Sequence, residues 1–276
     1  VTTRHIKDRL EKELEVNVGL KVENMDTTDG YKVAGRGELH LSILIENMRR
    51  EGYELGVSKP EVIMHRDENN RLVEPLERVI VTLPDQYSGA AIASLNIRKG
   101  IMQSMEPENG YVRIEYLCTT RGLLGFRSEL ITESRGEATI VRRIEGYTEY
   151  VGELPRRSNG ALIAQENGTT MGYSLNNLED RGTLFVKPAT DVYEGMIIGM
   201  NARREDMTVN ACKNKKLTNT RSSGADDAIR LSPPRLFSLE EALEFIEDDE
   251  LVEVTPAAIR LRKRVLSEGD RRRSGR

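Results

Sequence analysis

The sequence predicts an α+β protein in which two domains of interleaved helices and strands precede a β-rich domain. Apolar residues recur at helical spacing in some stretches and alternate with polar residues in others. Both kinds of stretch follow one another in the same order twice, which indicates two copies of one fold. The 276 residues suffice for two or three domains, each with its own core. We expect these domains to span residues 1–74, 75–152 and 153–276.

A helix opens the first domain, because Ile6, Leu10 and Leu14 recur every fourth residue. Apolar and polar residues then alternate over residues 18–22 and again over 31–33, with turn residues between them. This alternation predicts two antiparallel strands. The first domain is completed by a predicted helix and a predicted strand, over residues 38–52 and 53–57.

The resulting order of helix, strand, strand, helix and strand is that of a split βαβ, ferredoxin-like fold without its leading strand. We therefore expect the chain to begin inside this domain. The second domain has the complete order of strand, helix, strand, strand, helix and strand. Its elements are predicted over residues 79–83, 87–98, 101–105, 112–118, 123–133 and 138–144, with a tight turn at Asn109-Gly110.

Short apolar runs broken by Gly, Asn and Asp follow Tyr150 and predict a compact β-rich third domain. One helix is expected there, beginning at Ser238, whose hydroxyl can form a reciprocal capping box with the Glu241 carboxylate. A last strand is predicted over residues 259–261, and the arginine-rich end, residues 271–276, is predicted to be disordered. The apolar runs that predict the other strands are residues 161–164, 183–186, 196–200 and 207–209.

Composition excludes several classes of protein. Charged residues make up 31% of the chain, and no apolar stretch approaches the roughly 20 residues of a membrane helix. We expect a cytoplasmic, monomeric protein without a membrane contact. Cys118 and Cys212 are the two cysteines and lie in different predicted domains, which argues against a disulfide framework or a zinc site.

No catalytic site is expected in this chain. The run G-x-x-x-x-G-K-[ST], in which backbone amides and a lysine cradle phosphates, does not occur. The three histidines, His5, His40 and His65, have no Ser, Cys or paired carboxylate at a spacing suited to nucleophilic or metal chemistry. We therefore predict that the chain is not an enzyme and holds neither a metal nor a cofactor.

The cationic segment, residues 213–224, is the most distinctive feature of the third domain. It carries four cations and six hydroxyl or amide side chains with one apolar residue, so it has little reason to pack. Such a segment can bind a phosphate backbone and hydrogen-bond to riboses, even in a chain of net charge -4. The alternative is a solvated loop without function. The residues of this segment that we predict to bind RNA are Lys213, Lys215, Lys216, Thr218, Asn219, Arg221 and Ser222.

Residues 121–127, with the sequence RGLLGFR, form a second candidate for RNA binding. They join a glycine-rich helix entry to two arginines and an aromatic ring, which together can contact phosphates and stack on a base. The alternative places Phe126 in the core and leaves both arginines solvated. We include Arg121 and Arg127 among the predicted RNA-binding residues.

Several motifs resemble those of the BipA/TypA family of translational GTPases, which are relatives of elongation factor G. Residues 36–52, RGELHLSILIENMRREG, are similar to domain III of these factors, and residues 120–129, TRGLLGFRSE, to domain V. The motifs that resemble the carboxyl-terminal domain peculiar to BipA/TypA are residues 180–182, 192–195, 215–219 and 242–246.

The resemblance implies a protein that binds the ribosome in its GTP state, with roles in large-subunit assembly and in growth under cold or stress. It implies that the cationic segment contacts A-site tRNA and 23S rRNA. Arg121 and Arg127 are expected nearer the factor-binding region of the large subunit. GTP and Mg²⁺ are expected in a domain upstream of this sequence, and no residue here maps to that site.

Two other hypotheses remain open at this point. The ferredoxin-like sheets could form a regulatory array that binds a small ligand or a partner protein, without any role for RNA. The chain could also be an unrecognised enzyme, although the sequence offers no nucleophile and base at a suitable spacing.

Overall fold

The computed structural model describes residues 2–25, 30–154, 157–214 and 230–274. The chain divides into two compact units: unit 1 comprises Val1–Lys59 with Arg157–Arg276, and unit 2 comprises Pro60–Arg156. The three domain boundaries expected from the sequence stay a prediction. Within the described residues, no helix has both the length and the apolar character needed to span a membrane.

Unit 2 is a ferredoxin-like sandwich with the strand order expected for that fold. Its central strand β5 lies between β8 and β7, and β7 also pairs with β6, all antiparallel. A short strand, β4, extends one end of β5. Its elements are β4 His65–Arg66, β5 Leu72–Pro84, α3 Ser88–Ile97, β6 Ile101–Glu108, β7 Tyr111–Thr119, α4 Phe126–Glu133 and β8 Thr139–Glu149.

The core of unit 2 follows from strict alternation along its two central strands. Val79, Val81 and Leu83 of β5 are fully buried, and Phe126 and Leu130 of α4 pack in the same cluster. The predicted turn at 109–110 is confirmed. Both of its residues have positive φ, 50° and 84°, as a tight two-residue hairpin requires.

The amino-terminal part of unit 1 contains the five elements predicted for the first domain. Leu10, Leu20, Leu44 and Met48 form its buried cluster, which joins both helices to the first hairpin. The elements are α1 Thr3–Val16, β1 Lys21–Asn24, β2 Tyr31–Ala34, α2 Glu38–Arg50 and β3 Leu55–Ser58.

The pairing of β3 differs from the simple expectation of a sheet shared with β1 and β2. β1 and β2 form a two-stranded sheet by themselves, whereas β3 pairs antiparallel with β15, from Leu55 opposite Val254 to Ser58 opposite Leu251. In a split βαβ sheet the leading strand lies between the third and fourth strands. Among the described residues β3 pairs with neither β1 nor β2, and Leu55 and Val57 pack in the core cluster that contains Val252 and Val254 of β15.

The remainder of unit 1 is β-rich, as predicted. Its main sheet has the order β14-β9-β13-β16-β15-β3, with β11 paired to the end of β13. β10 and β12 form a separate two-stranded sheet. The elements are β9 Ala161–Ala164, β10 Gly168–Thr169, α5 Gly172–Glu179, β11 Gly182–Leu184, β12 Asp191–Val192, β13 Met196–Asn201, β14 Met207–Val209, α6 Leu239–Phe245, β15 Glu250–Val254, β16 Ile259–Lys263 and α7 Glu268–Ser274.

The capping box predicted at Ser238 is confirmed. The Ser238 hydroxyl accepts a hydrogen bond from the Glu241 amide at 3.3 Å, and the Ser238 amide donates to the Glu241 carboxylate at 2.8 Å. α6 then buries Leu239, Ala242 and Leu243 against the main sheet.

Two predictions for the third domain were wrong. The arginine-rich end was expected to be disordered, but α7 covers Glu268–Ser274. Within it, Arg272 pairs with Glu268 at 2.6 Å and Arg273 with Asp270 at 3.1 Å, so acidic residues in the first turn compensate the basic last turn. The expectation of a single helix was also wrong, because α5 and α7 accompany α6 in the described part of this domain.

Candidate nucleic-acid interface

The cationic segment leaves the core of unit 1 beside the start of α5. The Met171 amide donates to the carbonyl oxygen of Ala211 at 2.9 Å, and Ala211 itself is buried. One turn into α5, the Ser174 hydroxyl donates to the carbonyl oxygen of Lys213. These bonds hold the backbone up to Lys213, whose side chain is exposed.

The chain returns from the segment beside the opposite end of α5. The Ser232 amide donates to the Glu179 carboxylate at 2.6 Å, and Leu231 packs against the core that α5 covers. The Arg235 amide then donates to the carbonyl oxygen of Leu184 at 2.9 Å. The described residues on both sides of 215–229 are therefore fixed along one helix.

Of the seven residues predicted to bind RNA in the cationic segment, one can be located. Lys213 lies at the surface, at the point where the chain leaves α5. The other six lie outside the described residues: Lys215, Lys216, Thr218, Asn219, Arg221 and Ser222. The sequence signal concerned the segment alone and did not identify Ser174 or Glu179 as its anchors. Both lie in the helix that was not predicted.

Arg121 is held inside unit 2 by a buried carboxylate. Its Nε and Nη2 donate to Glu74 at 3.0 and 2.9 Å, and Nη2 also donates to the carbonyl oxygen of Gly152 at 2.7 Å. Its guanidinium lies 4.8 Å from the ring centroid of Tyr150. The hydrogen bonds that Arg121 donates to the Glu74 carboxylate raise the pKa of Arg121 above its ordinary value. The structure thus gives Arg121 an architectural task, and a role in RNA binding stays a prediction.

Arg127 is exposed in the first turn of α4. The loop before it is supported by Arg98, whose Nη1 donates to the carbonyl oxygens of Gly122 and Leu124 at 2.8 and 2.9 Å. Gly125 then adopts a left-handed conformation, φ 72°, directly before the helix. Within the part of the chain that the structure describes, Arg127 has no ion-pair partner. A role for Arg127 in RNA binding stays a prediction.

A buried ionic cluster in unit 1 was missed from the sequence. Glu250 is completely buried and accepts hydrogen bonds from Nη1 and Nη2 of Arg157, each at 3.0 Å, and from Lys263 at 2.9 Å. Although burial opposes it, the nearby carboxylates raise the pKa of Lys263. Burial acts to raise the pKa of Asp206, but the hydrogen bond from Lys263 outweighs burial and the pKa is lowered. Each of these charges has an oppositely charged partner, so removal of one partner would leave another charge buried without compensation and would destabilise unit 1.

The described residues offer no catalytic constellation. They contain no group of three or more His, Cys, Asp or Glu side chains that could hold a metal ion. Burial raises the pKa of the Cys118 thiol to about 11, and also raises that of Cys212, so both are poor nucleophiles at neutral pH.

Comparison with known families accounts for most of the chain. Residues 71–158 match the family model described as the elongation factor G C-terminus. Residues 159–268 match the model described as the TypA/BipA C-terminal domain, which contains α5 and both flanks of the cationic segment. The chain belongs to the BipA/TypA family. In that family's terms, the cationic segment lies within the TypA/BipA C-terminal domain, whereas Arg121 and Arg127 lie within the elongation factor G C-terminus.

Similar proteins support this assignment over the whole chain. The protein from Haemophilus influenzae named large ribosomal subunit assembly factor BipA is 50% identical over 278 aligned residues, covering 100% of this chain and 45% of the relative. The protein of the same name from Escherichia coli K12 is also 50% identical, with 46% of its length covered. A relative from Synechocystis, again of that name, is 47% identical over 95% of this chain. The chain thus spans a little under half the length of these BipA/TypA relatives.

Proposed function

We propose that this chain is the ribosome- and RNA-binding region of a translational GTPase that takes part in assembly of the large ribosomal subunit. The carboxyl-terminal BipA/TypA domain would contact A-site tRNA and 23S rRNA through the cationic segment. In this proposal the protein is cytoplasmic and monomeric and supports growth in the cold or under stress. GTP and Mg²⁺ bind to a domain outside this chain, which itself has no catalytic task.

The observation that carries the proposal is the attachment of the cationic segment. Four cations fall within 12 residues, and the backbone on either side is fixed at Ser174 and Glu179 of α5. A chain of net charge -4 has no general attraction for a polyanion, so binding must come from a local concentration of positive charge. The names of the relatives, which refer to large-subunit assembly, support ribosomal RNA as that polyanion.

The test compares two double variants with the same change in charge. Lys215→Glu with Lys216→Glu should weaken co-sedimentation with 50S subunits at physiological salt and leave the melting temperature unchanged. Lys7→Glu with Lys12→Glu, in exposed positions of α1, is the matched control and should retain binding. Equal binding by both variants would count against the cationic segment. Negligible binding of RNA by the parent chain, with a thermal shift from a metabolite, would favour the regulatory array instead.

A further inference from the structure

A polar cavity of about 250 Å³ opens beside the carboxyl end of α5. It is lined by two arginines from different segments, Arg181 and Arg203, together with Asn177 and Asp180. All four side chains are exposed. The ionic cluster and the ion pair of Arg121 do not contribute to this cavity. Asp180 and Arg181 belong to the motif at residues 180–182, which has been given no role so far.

The first arginine is positioned by a close approach of two strands. The carbonyl oxygen of Arg181 accepts a hydrogen bond from the Ala202 amide at 2.8 Å, and Gly182 pairs with Asn201 in the next register position. A Cβ atom at Gly182 would lie 1.8 Å from the carbonyl oxygen of Met200, so only glycine permits this approach. The backbone of Arg181 is therefore fixed at the rim of the cavity.

The second arginine projects from a turn built on a buried amide. Asn201 is 2% exposed, and its Oδ1 accepts from the Arg203 amide at 3.2 Å while its Nδ2 donates to the carbonyl oxygen of Glu205 at 2.6 Å. The Gly160 amide donates to the carbonyl oxygen of Arg203 at 2.7 Å. Arg203 thus has a fixed backbone and an exposed side chain, and it lines the same cavity as Arg181.

The lack of an ion-pair partner within the described residues distinguishes Arg181 and Arg203 from Arg121 and Arg157. Arg121 and Arg157 each share a buried carboxylate, whereas Arg181 and Arg203 form no ion pair in the described parts of the chain. Two arginines that line one cavity can bind a phosphate through paired hydrogen bonds. Asp180 is the carboxylate of the same lining and can accept a hydrogen bond from a ribose 2′-hydroxyl, the group that distinguishes RNA from DNA.

The cavity also adjoins the cationic segment along the chain. Asp180 directly follows Glu179, the residue that anchors the returning backbone at Ser232. We propose that Arg181 and Arg203 clamp one backbone phosphate of an RNA strand while Asp180 accepts the 2′-hydroxyl of the adjoining ribose. This inference rests on the proposed function, since it extends the RNA surface from the cationic segment across the end of α5.

Fluorescence anisotropy with a single-stranded RNA 12-mer, over a series of salt concentrations, tests the clamp on the full chain. Arg181→Gln and Arg203→Gln should each weaken binding roughly fivefold, the scale of a solvent-accessible ion pair. The double variant, Arg181→Gln with Arg203→Gln, which removes the single phosphate contact, should also reduce the slope of log affinity against log salt by about 0.7. Arg204→Gln is the matched control, because Arg204 is the exposed neighbour of Arg203 but does not line the cavity. Arg203→Lys should keep the salt slope.

The same measurement with DNA of matching sequence tests the role of Asp180. Asp180→Ala should reduce the preference for RNA over DNA and leave DNA binding unchanged or stronger. An equal loss for RNA and DNA would overturn that part of the proposal. Displacement of the RNA by inorganic phosphate at low millimolar concentration would overturn the RNA clamp, because it would indicate a site for a free anion.

The outcomes separate this inference from the proposed function. If Lys215→Glu with Lys216→Glu abolishes RNA binding while Arg181→Gln and Arg203→Gln do not weaken it, the clamp is wrong and the proposed function stands. If the arginine variants lose binding and the lysine variant does not, the clamp stands and the cationic segment is not the contact. If the parent chain binds no RNA, both fail.

Discussion

Glu74 illustrates how a single buried charge organises unit 2. It has no exposed surface, and its carboxylate accepts hydrogen bonds from Arg121 and from the Val151 amide, the latter at 3.0 Å. Arg121 in turn bonds the carbonyl oxygen of Gly152. One carboxylate thus ties the loop after β7 and the backbone after β8 to the central strand.

Glu74→Gln should therefore destabilise unit 2 although the side chain keeps its shape. The neutral amide of Gln cannot form an ion pair with the guanidinium of Arg121. Loss of a charged hydrogen-bonding partner by a partly buried group costs roughly 1–3 kcal/mol of stability. Urea unfolding followed by circular dichroism measures this change. Glu68→Gln, at an exposed position of the same unit, is the control and should change the free energy of unfolding little. Equal stability of the two variants would contradict the assigned role of Glu74.

The two cysteines should differ in reactivity. Cys118 is 1% exposed with a pKa of about 11, so its thiolate is rare at neutral pH and a reagent cannot reach it. In a Cys212→Ser variant, the native chain should resist an aromatic disulfide reagent at pH 7.5 and react only after unfolding in urea. In a Cys118→Ser variant, the partly exposed Cys212 should react in the native state, at a rate that its raised pKa keeps below that of a free thiol. Matching rates in the two native variants would refute this prediction.

At the scale of elements, α6 depends on the capping box at its amino terminus. The helix has seven residues, too few to form by themselves, so the two reciprocal hydrogen bonds at Ser238 and Glu241 contribute directly to its stability. Ser238→Ala should lower the free energy of unfolding by about 1 kcal/mol. Glu240→Gln, in the same first turn but outside the box, is the control. Thermal unfolding of both variants measures the difference, and a larger loss at Glu240 would contradict it.

Elements whose local pattern agrees with their final environment were the ones that the sequence predicted. α1, α2 and the strands β5 and β7 of unit 2 carry clear apolar periodicity, and the Ser238 box is complete within four residues. α5 was missed because its first residue is glycine and two of its eight residues are asparagine, which are weak helix formers. Its helical state depends on packing of Leu175 and Leu178 against the core.

β15 was missed because its first residue argues against a buried strand. Glu250 belongs to an acidic run in the sequence, yet it is buried opposite Lys263, 13 residues further along the chain. No local pattern reveals such compensation. The same holds for the candidate interface. The cationic segment is visible in composition, whereas the cavity at Arg181 and Arg203 exists only because Gly182 and Asn201 bring two distant segments together.

At the scale of the whole molecule, carboxylates with lowered pKa occur in both units. Burial opposes the shift in each case, but Lys263 lowers the pKa of Asp206 in unit 1 and Arg142 lowers that of Glu77 in unit 2. A lowered folded-state pKa adds stability above the ordinary value and loses it as pH falls through the folded value. Both units should therefore lose stability below about pH 4.

Urea unfolding at a series of pH values between 3 and 7 measures this loss of stability at acid pH, here called the acid limb. Asp206→Asn should reduce the free energy of unfolding at pH 7, because Lys263 loses a charged partner, and should make the acid limb shallower. The variant and the parent chain should accordingly approach one another at pH 3. Parallel curves at every pH would contradict a contribution from Asp206.

The antiparallel pairing of β3 with β15 cannot form until late in the synthesis of this chain. Ser58 is opposite Leu251, so about 190 residues must be added after β3 before its hydrogen-bonding partner exists. At roughly 5–20 residues per second, that interval lasts roughly 10–40 s. Unit 2 is continuous in sequence and is translated between β3 and β15. It can therefore fold while the edge of β3 is still unpaired. Premature termination before β15 would leave that apolar edge uncovered, and such truncated chains should associate with chaperones more than full-length ones.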